Sequence, residues 1–359
     1  MLSNTFFKLN HYNSITVGYF GGSITEGAGA SDGQKTSWRA LTTEFLRQTH
    51  PNATVVEIQA AIGGTGSDLG MYRCDDDLTS RSPDLVFVEF AVNDCDMEYG
   101  AIEAQVETIY RKILRADPYT DIVCIITTTR SIAERLERGG EFTARTAHSA
   151  VAHHYNVPIL DVGDLLHFEV LRTGGDFLTL TADTVHPNDR GYALYADCVT
   201  SFLRECEKNA VNDYIPHDIP SPLCKKLFET ARMIPCTAAD DYVADGFTLI
   251  ERSLCGRYPT YIEATEIGSR FEFSFVGERL GFYWMLAKDS GDALVSIDGG
   301  AEETVRSWDM YCPAFDRASA SFVASGLDYG RHHVSVRLAS TKADGSLGTV
   351  LRIGALLVS

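Results

Sequence analysis

Basic residues are scarce: 31 Lys and Arg stand against 49 Asp and Glu, a formal net charge of −18 at pH 7. Polyanion binding needs clustered cations to displace counterions, so this balance excludes nucleic acid and argues against anionic membrane surfaces as partners. Long apolar runs are absent too. The longest, such as Leu85–Val88, are strand-sized, whereas a membrane span needs about 20 apolar residues. The opening MLSNTFFKLNHYNS has no basic flank followed by an apolar stretch, which sets the expectation of a cytoplasmic protein without a secretory signal. Nine cysteines (Cys74, Cys95, Cys124, Cys198, Cys206, Cys224, Cys236, Cys255 and Cys312) include no C-x-x-C pair. Their spacing therefore gives neither a zinc signature nor a small disulfide scaffold. Cys124, inside the apolar run Ile122–Ile126, reads as a buried small hydrophobe. There is also no G-K-[ST] phosphate loop and no G-x-G-x-x-G after the first apolar strand. What remains is ordinary globular composition, 45% hydrophobic and 22% charged over 359 residues, enough for about two domains.

The first part of the chain alternates short apolar runs with helix-period stretches, as βαβ units with a parallel sheet require. Strands are expected at Ser14–Phe20, Thr54–Ala60, Leu85–Phe90, Ile122–Thr127 and Pro158–Val162, and helices at Trp38–Thr49, Ala101–Arg115, Phe142–Tyr155 and Gly191–Asn209. In the second helix Ile102, Val106, Ile109, Ile113 and Leu114 form one apolar stripe, and Asp117-Pro118 stops it. The fold expected is a flavodoxin-like three-layer α/β/α sandwich over residues 1–212, with ligands at the carboxyl ends of the strands. Asp213–Leu223 holds three prolines and reads as part of a linker, residues 213–237. Beyond it, period-2 runs take over. Phe271, Phe273 and Phe275 alternate with Glu272 and Ser274, and Val334, Val336 and Leu338 with His333, Ser335 and Arg337. Leu294–Ile297 precedes Asp298-Gly299-Gly300, and the run Leu351–Val358 follows. The expectation for residues 238–359 is an antiparallel β-sandwich of jelly-roll type.

Four loops in the first region carry chemistry-bearing residues. Gly21-Gly22-Ser23 follows the first strand; paired glycines permit a sharp turn, and a serine there can be a helix cap, an anion contact or a nucleophile. The lipase G-x-S-x-G elbow is absent, Thr25 standing at its last glycine. Gly63-Gly64-Thr65-Gly66 follows the second strand, either a tight strand–helix turn or a set of outward amides fit for an oxyanion. Asn93-Asp94 ends the third strand, and Asp183-Thr184-Val185-His186 precedes the last helix. Asp three residues before His can fold back onto the imidazole and fix its tautomer. The remaining candidates are weaker. His148, His153 and His154 lack the i, i+4 spacing of a metal pair, and Asp75-Asp76-Asp77 reads as a solvated turn.

In order along the chain, these blocks resemble those of the SGNH, or GDSL-like, hydrolases. The resemblance implies that Ser23 is the nucleophile, with its own N–H, Gly64 and Asn93 as oxyanion donors, His186 as general base and Asp183 as its orienting partner. It implies no metal or organic cofactor. Two departures stand out: Gly22 replaces the aspartate of Gly-Asp-Ser, and Ala91 a frequent glycine of the third block. An SGNH domain followed by a small β-sandwich is similar to carbohydrate acetylesterases of hemicellulose breakdown. That implies an acetylated mannan or xylan oligosaccharide as substrate, met on the second domain by Trp308 and Tyr311, which sit where the strand pattern breaks. Trp308 and Tyr311 can equally be sandwich core, and Trp284 reads as core. Other readings are a lysophospholipase, thioesterase or acyltransferase of the same fold, and a catalytically inactive carbohydrate-binding protein. The sequence leaves the oligomeric state open.

Overall fold

The computed structural model describes residues 1–253 and 259–359, so Cys255 lies outside the described residues. The chain divides into two compact units, Met1–Glu229 and Thr230–Ser359.

The first unit is built on five parallel strands, β1 (Ser14–Gly21), β2 (Thr54–Ala61), β3 (Leu85–Glu89), β4 (Asp121–Ile126) and β5 (Ile159–Asp161), in the order β2-β1-β3-β4-β5. This is the flavodoxin order. Its helices are α1 (Ser3–Tyr12), α2 (Ser23–Glu26), α3 (Trp38–Thr49), α4 (Ser67–Asp77), α5 (Tyr99–Ala116), α6 (Arg130–Glu137), α7 (Thr143–His154), α8 (Val162–Thr173) and α9 (Asp189–Lys208). α5 packs between α4 and α7, while α9 packs with α1, α3 and α8, giving the expected three layers. β3 and β4 are buried at every position, as central parallel strands covered on both faces must be. On one face Tyr19, Trp38 and Phe87 stack as a fully buried aromatic trio. Cys124 is buried as expected, and the described cysteines are free thiols. Helices α1, α2, α4, α6 and α8 add to the four read from periodicity; α4 (SDLGMYRCDDD) buries polar and apolar residues alike, so it shows no clean apolar stripe.

The second unit comprises β6 (Arg232–Pro235), β7 (Asp240–Asp245), β8 (Thr248–Ile250), β9 (Tyr261–Ala264), β10 (Arg270–Leu286), β11 (Asp292–Ile297), β12 (Glu303–Arg306), β13 (Arg317–Leu338) and β14 (Leu351–Val358). The pairings between these strands are antiparallel. The two layers share strands and form one curled sheet. β10 pairs with β7 through its first half and β14 through its second, and β13 follows it along both. The bend falls at register shifts around Gly277–Gly281. There the inward set changes from odd residues (Phe271, Phe273, Phe275) to even ones (Leu280, Phe282, Trp284, Leu286). A bulge makes that exchange of faces possible within one strand. Trp284 lies in this core and donates Nε1–H to Ser321 Oγ at 3.1 Å.

The expected linker needs correction. Residues 213–229 are a strap on the first unit, and from β6 onward the chain already belongs to the second. Asn4 pairs with the backbone of Ile215 in both directions, at 2.9 and 3.0 Å. Tyr214 stacks on Phe7 and Tyr119. The N–H groups of Leu223 and Cys224 donate to the Glu107 carboxylate at 2.6 and 2.7 Å. Prolines keep the strap extended, and side chains of α1 and α5 bond several of its backbone groups. Burial opposes ionisation of Glu107, yet these amides and the Tyr155 hydroxyl hold its carboxyl below the usual range. Removing the acceptor leaves these part-buried donors without their partner. Glu107→Ala should therefore speed hydrogen exchange at the Leu223 and Cys224 amides by about tenfold or more and lower the melting temperature, as measured by exchange mass spectrometry and calorimetry.

Candidate active site

β1 lies between β2 and β3 with Gly21 opposite both Ala61 and Glu89, so three strand ends finish level and release three loops at one edge. The first enters α2 directly. Ser23 is its first helical residue, capped by Gly22, and its N–H belongs to the first turn, where helices leave amides without internal acceptors. A Cβ on Gly22 would sit 2.1 Å from Asn93 Oδ1. The Gly22 departure thus has a physical reason: the Asn93 amide packs against the backbone there through Oδ1. Gly64 has φ +72°, and a Cβ added to it would meet nothing within 4 Å. Its glycine meets a conformational need, a left-handed turn facing open space. Glu26 Oε2 accepts the Gly63 N–H at 2.8 Å and ties α2 to this second loop.

The fourth loop brings the imidazole. Asp183 Oδ1 accepts the backbone N–H groups of Val185 and His186, both at 2.7 Å, and Oδ2 accepts from His186 Nδ1 at 2.8 Å. His186 Nε2 lies 2.9 Å from Ser23 Oγ. Burial works against the charge on Asp183, but the ring and the two amides outweigh it and hold the carboxyl below its usual range. Asp183 is half exposed and His186 largely covered. The loop is seated by the segment after α2. Gly29, at φ +87°, has room for no side chain, since a Cβ would meet Pro187 O at 2.5 Å and His186 Cβ at 2.8 Å. Asp189, at the start of α9, accepts from Ser31 N, Ser31 Oγ and Thr36 Oγ1 at 2.6–2.8 Å, and Tyr192 donates to Ala28 O at 2.6 Å.

The structure therefore brings Ser23, Gly64, Asn93, Asp183 and His186 together in the first unit. Trp308 and Tyr311 belong to the second. There Trp308 is partly buried against the sheet core and packs on Gly345, so its ring is not an open platform. Tyr311 is 53% exposed beside Met310 at 77% and Phe315 at 54%, a protruding apolar patch. Among the described residues no cluster of three or more His, Cys, Asp or Glu could hold a metal ion, and no helix is long and apolar enough to cross a membrane.

Three buried groups lie behind the loops, and the sequence motifs name only one of their residues, Asp94, without giving it a role. Arg73 on α4 lies 4.4 Å over the Phe20 ring and donates to Gly21 O at 3.0 Å and to Ala60 O, joining the ends of β1 and β2. Asp94 and His148 form a fully buried pair at 2.8 Å. Glu89, a carboxylate inside an apolar run, accepts from Thr25 and Thr127 hydroxyls, both at 2.8 Å. Its position in that run is the one signal the sequence offers. Burial pushes its carboxyl up to about 7 against the help of those hydroxyls, and the nearby Asp94 pushes the same way. The folded protein thus holds a proton that the unfolded chain releases. The associated stability is complete below the ordinary carboxylate range and is lost as pH rises through about 7. Glu89→Gln should accordingly raise the melting temperature relative to the parent more at about pH 8 than at about pH 5, as calorimetry at the two values will show.

Fold and site together define an ester hydrolase on a doubly wound α/β sheet. Residues 19–194 match the GDSL-like Lipase/Acylhydrolase family. Within its first unit the chain matches that family, and it is a carboxylic ester hydrolase. Over its whole length it is similar to a two-domain esterase (CEX) active on acetylated mannans, solved alone and co-crystallized with mannopentaose. The identity is 23%, 100% of this chain and 95% of that chain are covered, and the TM-scores are 0.86 and 0.85. A shorter likeness is to Axe2, an acetylxylan esterase from Geobacillus stearothermophilus, at 19% identity over 53% of this chain and 93% of that one, TM-score 0.44. No curated protein sequence matches the chain.

Proposed function

We propose that the protein removes O-acetyl groups from acetylated mannan or xylan oligosaccharides by a Ser23–His186–Asp183 relay. The observation that carries the chemistry is the 2.9 Å contact between Ser23 Oγ and His186 Nε2, with Asp183 bonded to the other ring nitrogen. Since Nδ1 donates to the carboxylate, Nε2 offers its lone pair to the serine hydroxyl. Ser23 Oγ attacks the acetyl carbonyl as its proton passes to Nε2. The carbonyl oxygen, now anionic, is met by the Ser23 and Gly64 N–H groups and the Asn93 side-chain amide, each worth about 3–4 kcal/mol to the transition state when well aligned. The sugar hydroxyl departs with the proton from His186, and water then cleaves the acyl-enzyme by the same route.

The substrate reading draws on the likeness of both units, together, to the esterase active on acetylated mannans. A net charge of −18 suits a neutral glycan better than an anionic one. The exposed ring of Tyr311 offers an apolar face on which a sugar can pack.

Ser23→Ala is expected to abolish turnover without lowering the melting temperature, and Asn93→Ala to cut kcat by roughly 10²–10³-fold. On p-nitrophenyl acetate, butyrate and octanoate the parent should prefer acetate. A preference for octanoate would support a lipid- or acyl-directed reading instead, and no activity on any of the three would leave a binding protein. Mass spectrometry of acetylated mannan and xylan oligosaccharides should show loss of acetyl mass increments, and which glycan loses them names the substrate.

A further inference from the structure

Behind Asn93 two helices, α4 and α7, converge on one carboxylate. Asp94 is fully buried. Its Oδ1 accepts the Ser67 N–H at 2.8 Å, the first amide of α4 and three residues past Gly64. Gly66 lets the two approach, since a Cβ there would lie 2.3 Å from that same oxygen. Its Oδ2 meets His148 Nε2 at 2.8 Å, from α7, with neither side chain exposed. Ser67 Oγ in turn donates to Gln105 Oε1 on α5 at 2.8 Å. His148 Nδ1 is buried with no hydrogen-bond partner. A proton on that atom would find no acceptor, so the ring carries its proton on Nε2 and donates it to Asp94.

A buried, hydrogen-bonded carboxylate is a costly way to fill space, and an apolar side chain would pack as well. What this one does is link two loops that have no backbone bond to each other at this point. It directly follows Asn93 and grips the chain just after Gly64. We propose that His148 and Asp94 are positioning residues for the oxyanion pocket. The imidazole orients the carboxylate, and the carboxylate fixes the separation of the Asn93 amide from the Gly64 N–H. The proposal rests on the assignment of those two groups as oxyanion donors.

The test uses the full chain and p-nitrophenyl acetate. His148→Leu keeps the volume but removes the donor, and it should lower kcat by roughly 10²-fold, as expected for small misplacements of a reacting geometry, with KM changed less than about twofold. Phenylboronic acid, which forms a tetrahedral adduct on serine, should lose inhibitory affinity in proportion to the fall in kcat. His148→Gln places an amide N–H where Nε2 stood and should restore most of both. If His148→Leu does not fold, Asp94→Asn takes its place. It keeps the oxygen facing Ser67, forces the His148 proton onto the partnerless Nδ1, and should lower kcat by about tenfold or more with KM held. Either variant, folded and with kcat within twofold of the parent, overturns the proposal, as does a loss shared equally by kcat and KM or failure of His148→Gln to recover. Ser23→Ala assayed alongside separates the two inferences: if hydrolysis persists in it, the underlying assignment of the site fails, whatever His148 does.

Discussion

Parallel pairing of β1 with both neighbours sets where three of the four loops of the proposed site stand. In a parallel sheet all strands point the same way, so their carboxyl ends share an edge. Here the register puts Gly21, Ala61 and Glu89 side by side. Each strand needs only a few further residues to deliver Ser23, Gly64 and Asn93 from its tip. The imidazole is the exception, arriving on a loop held by the start of α9. A slip of one residue in β1 would turn its side chains to the opposite layer and withdraw Ser23 from the other two donors. Regularity of the sheet is therefore a requirement of the chemistry as well as of the core.

The interior behind that edge holds several ionisable side chains. Arg73 sits on the α4 side, donating to backbone carbonyls of two strands, while Glu89 sits among hydroxyls from α2 and the end of β4. Asp94 takes its donors from α4 and α7. Each such group costs desolvation, recovered in part through hydrogen bonds to charge, which are stronger than neutral ones. Apolar residues would serve stability alone at lower cost. The arrangement exchanges stability for fixed loop geometry, the form of preorganisation an oxyanion site requires.

Much of this is legible in residue order. Apolar runs locate the five strands of the first unit to within a residue or two, and α3 can be read at its observed bounds because Ser37 and an amphipathic pattern mark it. The four loops are recognisable because glycine, asparagine and the Asp-x-x-His spacing have few competing explanations in that order. α1, α4, α6 and α8 are not legible, α4 because it buries arginine and serine together with leucine and methionine, which erases periodicity. The strap at 213–229 misleads for a related reason: three prolines report an extended backbone, but not whether distant side chains such as Asn4 and Glu107 will bind it. In sequence His148 invites comparison only with metal ligands, and nothing local links a helix-face histidine to an aspartate 54 residues earlier. In the second unit the alternation is plain. The crossing from odd to even inward residues in β10 is what the expected two-sheet picture lacks.

The close fit of Gly29 against His186, with Asp189 gripping Ser31 and Thr36, makes the serine loop and the histidine loop a single structural unit despite more than 150 residues between them. Recombination between relatives that exchanges only one of the two would pair the proposed nucleophile with a mismatched base. Chimeras of this scaffold are thus best cut so that residues 23–36 and 182–192 come from the same parent, whatever donates the helices between.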